Sequence, residues 1–172
     1  PAHDQFDVLW DIIPFAESNS TTIPLIGKVK AGDIIGGIFK WAALITSGYH
    51  EGNDSGRIAA LDITTGTKLP IWHNGSGFVD ELTLQTKNDS SPYYTLSSPA
   101  GVDTDEDGYL DLMYAGDSEG SLWKFYYDYV ETAWKKAKLF QTPGLAITAK
   151  PTMAFDNAGR LRIYFGTGKY IN

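Results

Sequence analysis

Short apolar stretches that end in glycine recur along this chain, and they constrain its fold more than any other feature of the sequence. WAALITSGY, YLDLMYAGD and LRIYFGTGKY run into Gly48, Gly116 and Gly166, and a small residue precedes the first two of these glycines. The first two continue through a short polar turn into a second apolar stretch, RIAALDITTGTKLPIW and SLWKFYYD. Apolar stretches separated by clusters of turn residues predict antiparallel β-hairpins.

The hairpins are unevenly spaced, since the three glycines lie 68 and 50 residues apart. A period near 50 residues with variable loops is typical of β-propeller blades, which must stack on a neighbour to bury their faces. We therefore predict an all-β fold, a partial β-propeller of about three to four blades, in a single domain spanning 1–172. An open β-sandwich is the alternative. YVETAWKKAKLF (129–140) is the one passage whose pattern allows a turn or two of helix.

The acidic charge of the chain is concentrated in one segment. The chain carries 21 acidic and 14 basic side chains, a net charge of −7, and residues 101–120 alone hold seven acids and no base. Fourteen acids and fourteen bases remain elsewhere. This local excess favours a cation site over a generally acidic surface. The lack of a basic stripe argues against nucleic acid as a partner.

Within that segment, residues 103–111 (DTDEDGYLD, the acidic loop) follow the pattern D-x-D-x-D-G-x-x-D. Alternate aspartates converge their carboxylates, glycine permits the sharp turn, and a backbone carbonyl completes an all-oxygen shell that suits Ca²⁺ better than Mg²⁺. The predicted ligands are Asp103, Asp105, Asp107, Asp111 and the backbone carbonyl of Tyr109. Two carboxylates about 4 Å apart repel by roughly 4 kcal/mol at an effective dielectric near 20, so four of them require a divalent ion. A solvated acidic turn without an ion is the alternative.

The acidic loop differs from the loop of an EF-hand. Position 12 of the pattern is Tyr114 instead of glutamate, and a strand-like segment follows the loop where a helix would be expected. Asp111 must then do the work of the missing glutamate, for example as a bidentate ligand. The sequence predicts a calcium loop carried by a β-hairpin.

Other features exclude several classes of protein. The chain has no cysteine, which removes disulfides and thiolate chemistry, and no apolar run reaches the roughly 18 residues of a membrane span. Because the sequence begins with Pro1, we expect a fragment of a longer protein. We expect no enzyme, since His3, His50 and His73 lie in polar, turn-like contexts and no phosphate-binding glycine motif is present.

Two further segments could bind a ligand. Glu51, Asn53 and Asp54 offer oxygen ligands for a second cation, although HEGNDSG reads first as an exposed hairpin loop. WKFYYDYVETAW (123–134) is aromatic enough for a ligand platform, but alternation within a propeller strand explains most of its pattern.

Together, the hairpins and the loop resemble the C-terminal propeller of PilY-type type IV pilus tip proteins. KWAALITSGYHEGNDSGRIAALDITTG looks like that family's strand–GY–loop–LD..TG blade, and DTDEDGYLDLMYAGDSEGSLWKF is similar to its calcium loop. ITAKPTMAFDNAGRLRIYFGTGKY matches its proline-containing strand and terminal G-T-G-x-Y. The family usually has an aspartate directly after W-x-F, whereas this chain has Tyr126.

The resemblance implies a location at the pilus tip or on the outer surface of the cell. It implies roles in pilus assembly, opposition to retraction, twitching motility and adhesion, with pilus components such as minor pilins, and host or abiotic surfaces, as partners. Calcium in the acidic loop would gate the switch between extension and retraction. By position, the ligands that the resemblance implies are those predicted above.

Two other classes of propeller share parts of the pattern. FG-GAP propellers of the integrin type carry D-x-D-x-D-G-x-x-D, which would make this chain a cell-surface binding module. ALDITTGTKLPIW (60–72) also looks like the repeat of pyrroloquinoline-quinone dehydrogenases, although a blade turn and a packed Trp72 explain it as well.

Overall fold

All regular elements among the described residues are β-strands. The computed structural model describes residues 11, 15, 22–31, 39–51, 56–84 and 93–168. None of these residues belongs to a helix that could cross a lipid bilayer. The all-β class predicted from the sequence is confirmed.

A first antiparallel sheet holds four strands in the order β1-β2-β4-β7. Their bounds are β1 Leu25–Lys30, β2 Phe39–Thr46, β4 Gly56–Asp62 and β7 Glu81–Leu84. The inner strand β4 (GRIAALD) is buried over most of its length, because it is covered on both faces. Strand β3 (Gly48–Glu51) leaves this sheet and pairs with β8 (Tyr93–Leu96).

A second sheet contains four consecutive antiparallel strands. They are β9 Ala100–Val102, β10 Leu112–Gly116, β11 Ser121–Asp128 and β12 Ala133–Gln141. Two short strands, β5 (Trp72–His73) and β6 (Phe78–Val79), extend it through a parallel pairing of β5 with β12. The helical reading of 129–140 was wrong: a turn occupies 129–132, and β12 pairs with β11 along nearly its whole length. Cross-strand pairing outweighs a weak local preference.

The last described strands, β13 (Thr152–Phe155) and β14 (Leu161–Tyr164), form a hairpin of their own. The apolar stretches predicted to form hairpins therefore contain strands, namely β2, β4, β10, β11 and β14. The four-stranded antiparallel units are blade-like, and within the part of the chain that the structure describes they do not close into a ring.

The main core lies between the two sheets. It combines aliphatic side chains of the first sheet with aromatic side chains of the second, and Trp72, Phe125 and Trp134 are completely buried in it. The indole of Trp134 also donates a hydrogen bond of 3.0 Å to the backbone carbonyl of Lys30. This contact ties β12 to the end of β1, next to the acidic loop.

Candidate metal centre

The acidic loop connects β9 to β10 and lies against the first sheet. The N–H of Leu110 donates a hydrogen bond of 2.9 Å to the carbonyl of Lys28, and Leu110 forms a parallel bridge with Val29. The ring of Tyr109 stacks on Phe39 with centroids 3.8 Å apart. The hairpin therefore holds the loop at both ends, and β1 and β2 support its C-terminal half.

Three of the predicted ligands converge in space. Asp103, Asp105 and Asp111 each offer one carboxylate oxygen, and these oxygens all lie within 4.8 Å of one another. Asp105 is exposed, whereas Asp103 and Asp111 are partly buried. Such a cluster provides anionic oxygen ligands of the kind that hard divalent cations prefer.

Backbone N–H groups of the loop hold most of its carboxylates in place. Gly108 N–H donates to Oδ2 of Asp103 at 2.7 Å, and Tyr109 N–H donates to Oδ1 of Asp107 at 2.9 Å. A longer bond of 3.3 Å joins Asp107 N–H to Oδ1 of Asp105. The bonds to Asp105 and Asp107 span two residues and are Asx turns, which favour the short side chain of aspartate over glutamate, whereas the bond to Asp103 spans five residues.

One carboxylate oxygen in the loop has no such partner. Oδ1 of Asp103 is buried and accepts no hydrogen bond, although the other oxygen of the same carboxylate is bonded to Gly108 N–H. A buried acceptor without a donor is costly, since it has lost water and gained nothing in exchange. A cation among the three convergent carboxylates would satisfy it, so the residues present fit Ca²⁺.

Asp111 is more constrained than the sequence suggested. Its Oδ2 accepts hydrogen bonds from the N–H and the hydroxyl of Thr104 at 2.8 and 2.7 Å, and its Oδ1 lies 3.2 Å from Nζ of Lys30. Burial of the carboxyl opposes ionisation, but these hydrogen bonds outweigh it and hold the pKa of Asp111 below its usual value. Both oxygens expected for bidentate ligation are therefore already engaged.

Lys30 was not predicted from the sequence, yet its side chain contacts the acidic loop. Its buried ammonium lies 3.3 Å from Oδ2 of Asp107, 3.2 Å from Oδ1 of Asp111 and 2.7 Å from the hydroxyl of Tyr129. Burial lowers the pKa of an ammonium, but the hydrogen bonds with Tyr129, Asp111 and Asp107 reverse this and raise the pKa of Lys30. Lys30 is charged, and part of the loop's negative charge is compensated within the protein.

The remaining predicted ligands lie differently. Asp107 is not among the three convergent carboxylates, and its Oδ2 faces Lys30. The ring of Tyr109 stacks on Phe39, and its N–H donates a hydrogen bond to Asp107. Both contacts fix the backbone at Tyr109, whose carbonyl is the predicted ligand. For Asp105, desolvation and the neighbouring carboxylates of Asp111 and Asp107 raise the pKa despite the hydrogen bond from Asp107 N–H. A bound cation would lower it again.

Not all acids of the segment 101–120 belong to this site. Asp117 is completely buried and bonds to the N–H groups of Glu119 and Ser121 and to the indole of Trp123. It stabilises the turn between β10 and β11. The charge excess that indicated a cation site therefore contains at least one carboxylate with a structural role.

The other candidate segments do not extend the site. The proposed second cation site at Glu51, Asn53 and Asp54 lies outside the described residues, apart from the backbone of Glu51. His73 is half-buried, and its Nδ1 accepts a hydrogen bond of 3.1 Å from Gly75 N–H. The side chains of His3 and His50 lie outside the described residues as well. In 123–134 the large rings of Trp123 and Trp134 are buried, as the packing interpretation predicted.

Comparison with known proteins identifies the architecture. Residues 18–172 match the family model of the PilY1 β-propeller domain. A crystal structure of the Pseudomonas aeruginosa PilY1 C-terminal domain is similar, with a TM-score of 0.65 and 25% identity over 88% of this chain and 33% of that chain. The blade-like sheets are thus part of a β-propeller, as the sequence predicted.

Curated relatives agree. A type IV pilus biogenesis factor PilY1 homolog of Xylella fastidiosa is 26% identical over 159 residues, which cover 90% of this chain and 11% of the relative. PilY1 of Pseudomonas aeruginosa PAO1 is 35% identical over 89 residues, 50% of this chain and 6% of the relative. The chain spans about a tenth of the length of the curated relatives it matches.

Proposed function

This chain belongs to the PilY1 β-propeller domain family, and from that premise we propose that it is the calcium-binding module of a type IV pilus biogenesis factor. In this role it acts at the pilus tip or on the outer surface of the cell. Its partners are pilus components such as minor pilins, and the surfaces to which the cell attaches. It regulates pilus extension and retraction, and through them twitching motility and adhesion.

The observation that carries the calcium proposal is the acceptor left unpaired in the acidic loop. Asp103 Oδ1 is buried without a hydrogen bond, and Asp103, Asp105 and Asp111 each offer one carboxylate oxygen within 4.8 Å of the others. Calcium would supply two positive charges to this cluster and tolerate its irregular set of oxygen ligands. The chain's own part is to hold these carboxylates in position through the turns of the loop.

The packing of the loop provides a route by which bound calcium affects the rest of the propeller. Leu110 and Tyr109 pack the loop on β1 and β2, so a change in the loop acts on the contact between the two sheets. A module of this kind regulates by binding and needs no catalytic residue. We therefore propose a non-enzymatic role, in which the aromatic passage 123–134 serves packing.

The test at the level of binding uses two neighbouring acids. Asp105 is exposed and receives a single long hydrogen bond, so Asp105→Asn should leave the calcium-free fold intact and weaken Ca²⁺ binding by roughly tenfold or more. Glu106→Gln removes the same charge one residue away, at a position outside the ligand pattern, and should keep the affinity within about threefold. Calorimetry and thermal melts measure both variants.

Wild-type protein should melt at a higher temperature when millimolar Ca²⁺ is added. A flat titration together with an unchanged melt would refute the calcium site. An equal loss of Ca²⁺ affinity in Asp105→Asn and Glu106→Gln would show that only the overall negative charge of the loop attracts the ion.

The pilus role requires a test in cells. In a bacterium whose full-length protein carries the substitution, Asp105→Asn should reduce surface pili and the twitching zone, while Glu106→Gln should leave both near wild type. Normal piliation and twitching with Asp105→Asn, in a protein shown to have lost calcium binding, would separate the ion from pilus function.

A further inference from the structure

The ammonium of Lys30 already compensates part of the charge that calcium would neutralise. It lies 3.2 Å from Asp111 Oδ1 and 3.3 Å from Asp107 Oδ2, two of the predicted calcium ligands. The lysine side chain is only 8% exposed. A buried ammonium at this distance from two carboxylates forms a charge-assisted network rather than a weak surface ion pair.

Contacts besides those with the loop carboxylates also hold Lys30 in this position. Its backbone carbonyl accepts the indole hydrogen bond of Trp134, and the preceding residue Val29 is completely buried and bridges to Leu110. The hydroxyl of Tyr129, in the turn between β11 and β12, contacts the ammonium at 2.7 Å. The positive charge is therefore presented to the loop by the framework of the molecule.

A cation bound by Asp111 would share this carboxylate with Lys30. One oxygen of Asp111 accepts from Thr104 and the other faces the ammonium, so ligation must draw on oxygens that are already partnered. Two positive charges close to the same carboxylate repel each other, and the repulsion is strong where burial limits screening by water.

We propose that Lys30 is the counter-ion of the calcium-free loop and the residue that limits its calcium affinity, with Ca²⁺ weakening the contact between Lys30 and the loop carboxylates when it binds. This inference rests on the proposed calcium site. Because Lys30 belongs to β1 and its partners belong to the loop of the second sheet, calcium occupancy is coupled to the contact between the two sheets.

The decisive variant is Lys30→Met, which keeps an unbranched side chain of similar length and removes the charge. It should bind Ca²⁺ about tenfold more tightly than wild type, because the competing cation is gone. Its calcium-free melting temperature should fall, because the carboxylates lose their partner, and the rise in melting temperature on adding Ca²⁺ should be larger than in wild type.

Lys68→Met is the matched control. Lys68 also forms a partly buried ion pair, with Glu81 at 2.5 Å, but its partner is not in the loop. This variant removes the same net charge and should leave the calcium affinity within about twofold of wild type. Lys30→Gln serves as a second neutral variant if Lys30→Met does not fold, since its amide can still donate hydrogen bonds to the carboxylates.

The outcomes separate this inference from the proposed site. If wild type binds Ca²⁺ and the neutral variants bind it equally or more weakly, Lys30 does not limit affinity and the inference is overturned, while the calcium site stands. If wild type binds no Ca²⁺, the site and the inference both fall. If Lys30→Met and Lys68→Met both bind Ca²⁺ more tightly than wild type and to the same extent, the inference is also overturned, because net charge alone would then explain the effect.

Discussion

The indole Nε1 of Trp123 donates a hydrogen bond of 2.7 Å to Oδ2 of Asp117, and both side chains are buried. The other oxygen of Asp117 accepts from the N–H groups of Glu119 and Ser121 at 3.0 and 2.7 Å. One carboxylate thus closes the turn between β10 and β11 and fixes the first aromatic ring of β11. The motif GDSEGSLW in the sequence corresponds to this structural unit.

We expect Asp117→Ala to be among the most destabilising substitutions near the acidic loop. It removes a shared acceptor and leaves several donors buried without a partner, and each such donor costs about 1–3 kcal/mol. The free energy of unfolding should fall by about 3 kcal/mol or more. Chemical denaturation of the calcium-free protein measures this change.

Asp128→Ala is the control for that measurement. Asp128 also accepts hydrogen bonds from two N–H groups of its turn, those of Val130 and Glu131, but it is only partly buried and water can replace it. Asp128→Ala should lower the free energy of unfolding by about 1 kcal/mol. Equal costs for the two variants would contradict a special role of the buried Asp117.

Turns of this kind explain why so much of the fold could be predicted from the sequence. An aspartate begins the turns after β4, β10, β11 and β13, and its carboxylate accepts N–H groups two to four residues later, at Asp62, Asp117, Asp128 and Asp156. This chemistry is local and therefore visible in the sequence. The helical interpretation of 129–140 was wrong because the conformation of this passage depends on pairing with β11, which no local pattern reveals.

In the candidate site, too, the local geometry could be predicted from the sequence and the long-range contact could not. The spacing of the aspartates predicted the convergence of Asp103, Asp105 and Asp111, because that geometry arises within nine residues. Lys30 lies 81 residues before Asp111 and reaches the loop only through the packing of two sheets. It contacts both Asp107, which is not among the convergent carboxylates, and Asp111, which is.

Two glycines with positive φ should respond very differently to alanine. A Cβ at Gly120 (φ 83°) would collide with Thr142 Oγ1 and approach the carbonyl of Leu145 to 2.5 Å, whereas a Cβ at Gly108 (φ 87°) would meet open space. Gly120→Ala should cost about 3 kcal/mol or more, because it combines backbone strain with overpacking. Gly108→Ala should cost about 1 kcal/mol, from strain alone.

Chemical denaturation compares the two glycine variants with wild type. Gly108→Ala should in addition weaken Ca²⁺ binding, since it strains the loop that positions the carboxylates. Equal stability of Gly108→Ala and Gly120→Ala would contradict the close packing around Gly120.

Acid should weaken the hairpin of β13 and β14 through Asp156. Hydrogen bonds from Arg160 N–H, the Arg162 side chain and Ala158 N–H lower the pKa of Asp156 from its ordinary value of 3.8. A carboxyl with a lowered folded-state pKa stabilises the protein fully above its unfolded-state pKa, and this stabilisation is lost as the pH falls through the folded-state value.

Asp156→Asn should therefore be less stable than wild type at pH 7, and the difference should shrink as the pH falls below 3.8. Urea denaturation between pH 7 and pH 3 measures both proteins. A difference that stays constant over this range would show that the charge of Asp156 is not what stabilises the hairpin.

Substitution of Tyr109 tests whether this residue contributes to calcium binding through its backbone carbonyl rather than through its side chain. The predicted ligand is the carbonyl, while the ring stacks on Phe39 at 3.8 Å with an interplanar angle of 16°. Tyr109→Leu keeps the carbonyl and removes the stack, so stability should fall by about 1 kcal/mol while Ca²⁺ affinity stays within about threefold. Phe39→Leu removes the same stack from its other partner and should behave alike in both measurements. Loss of calcium binding in Tyr109→Leu, with normal binding in Phe39→Leu, would mean that the tyrosine side chain itself positions the ligands.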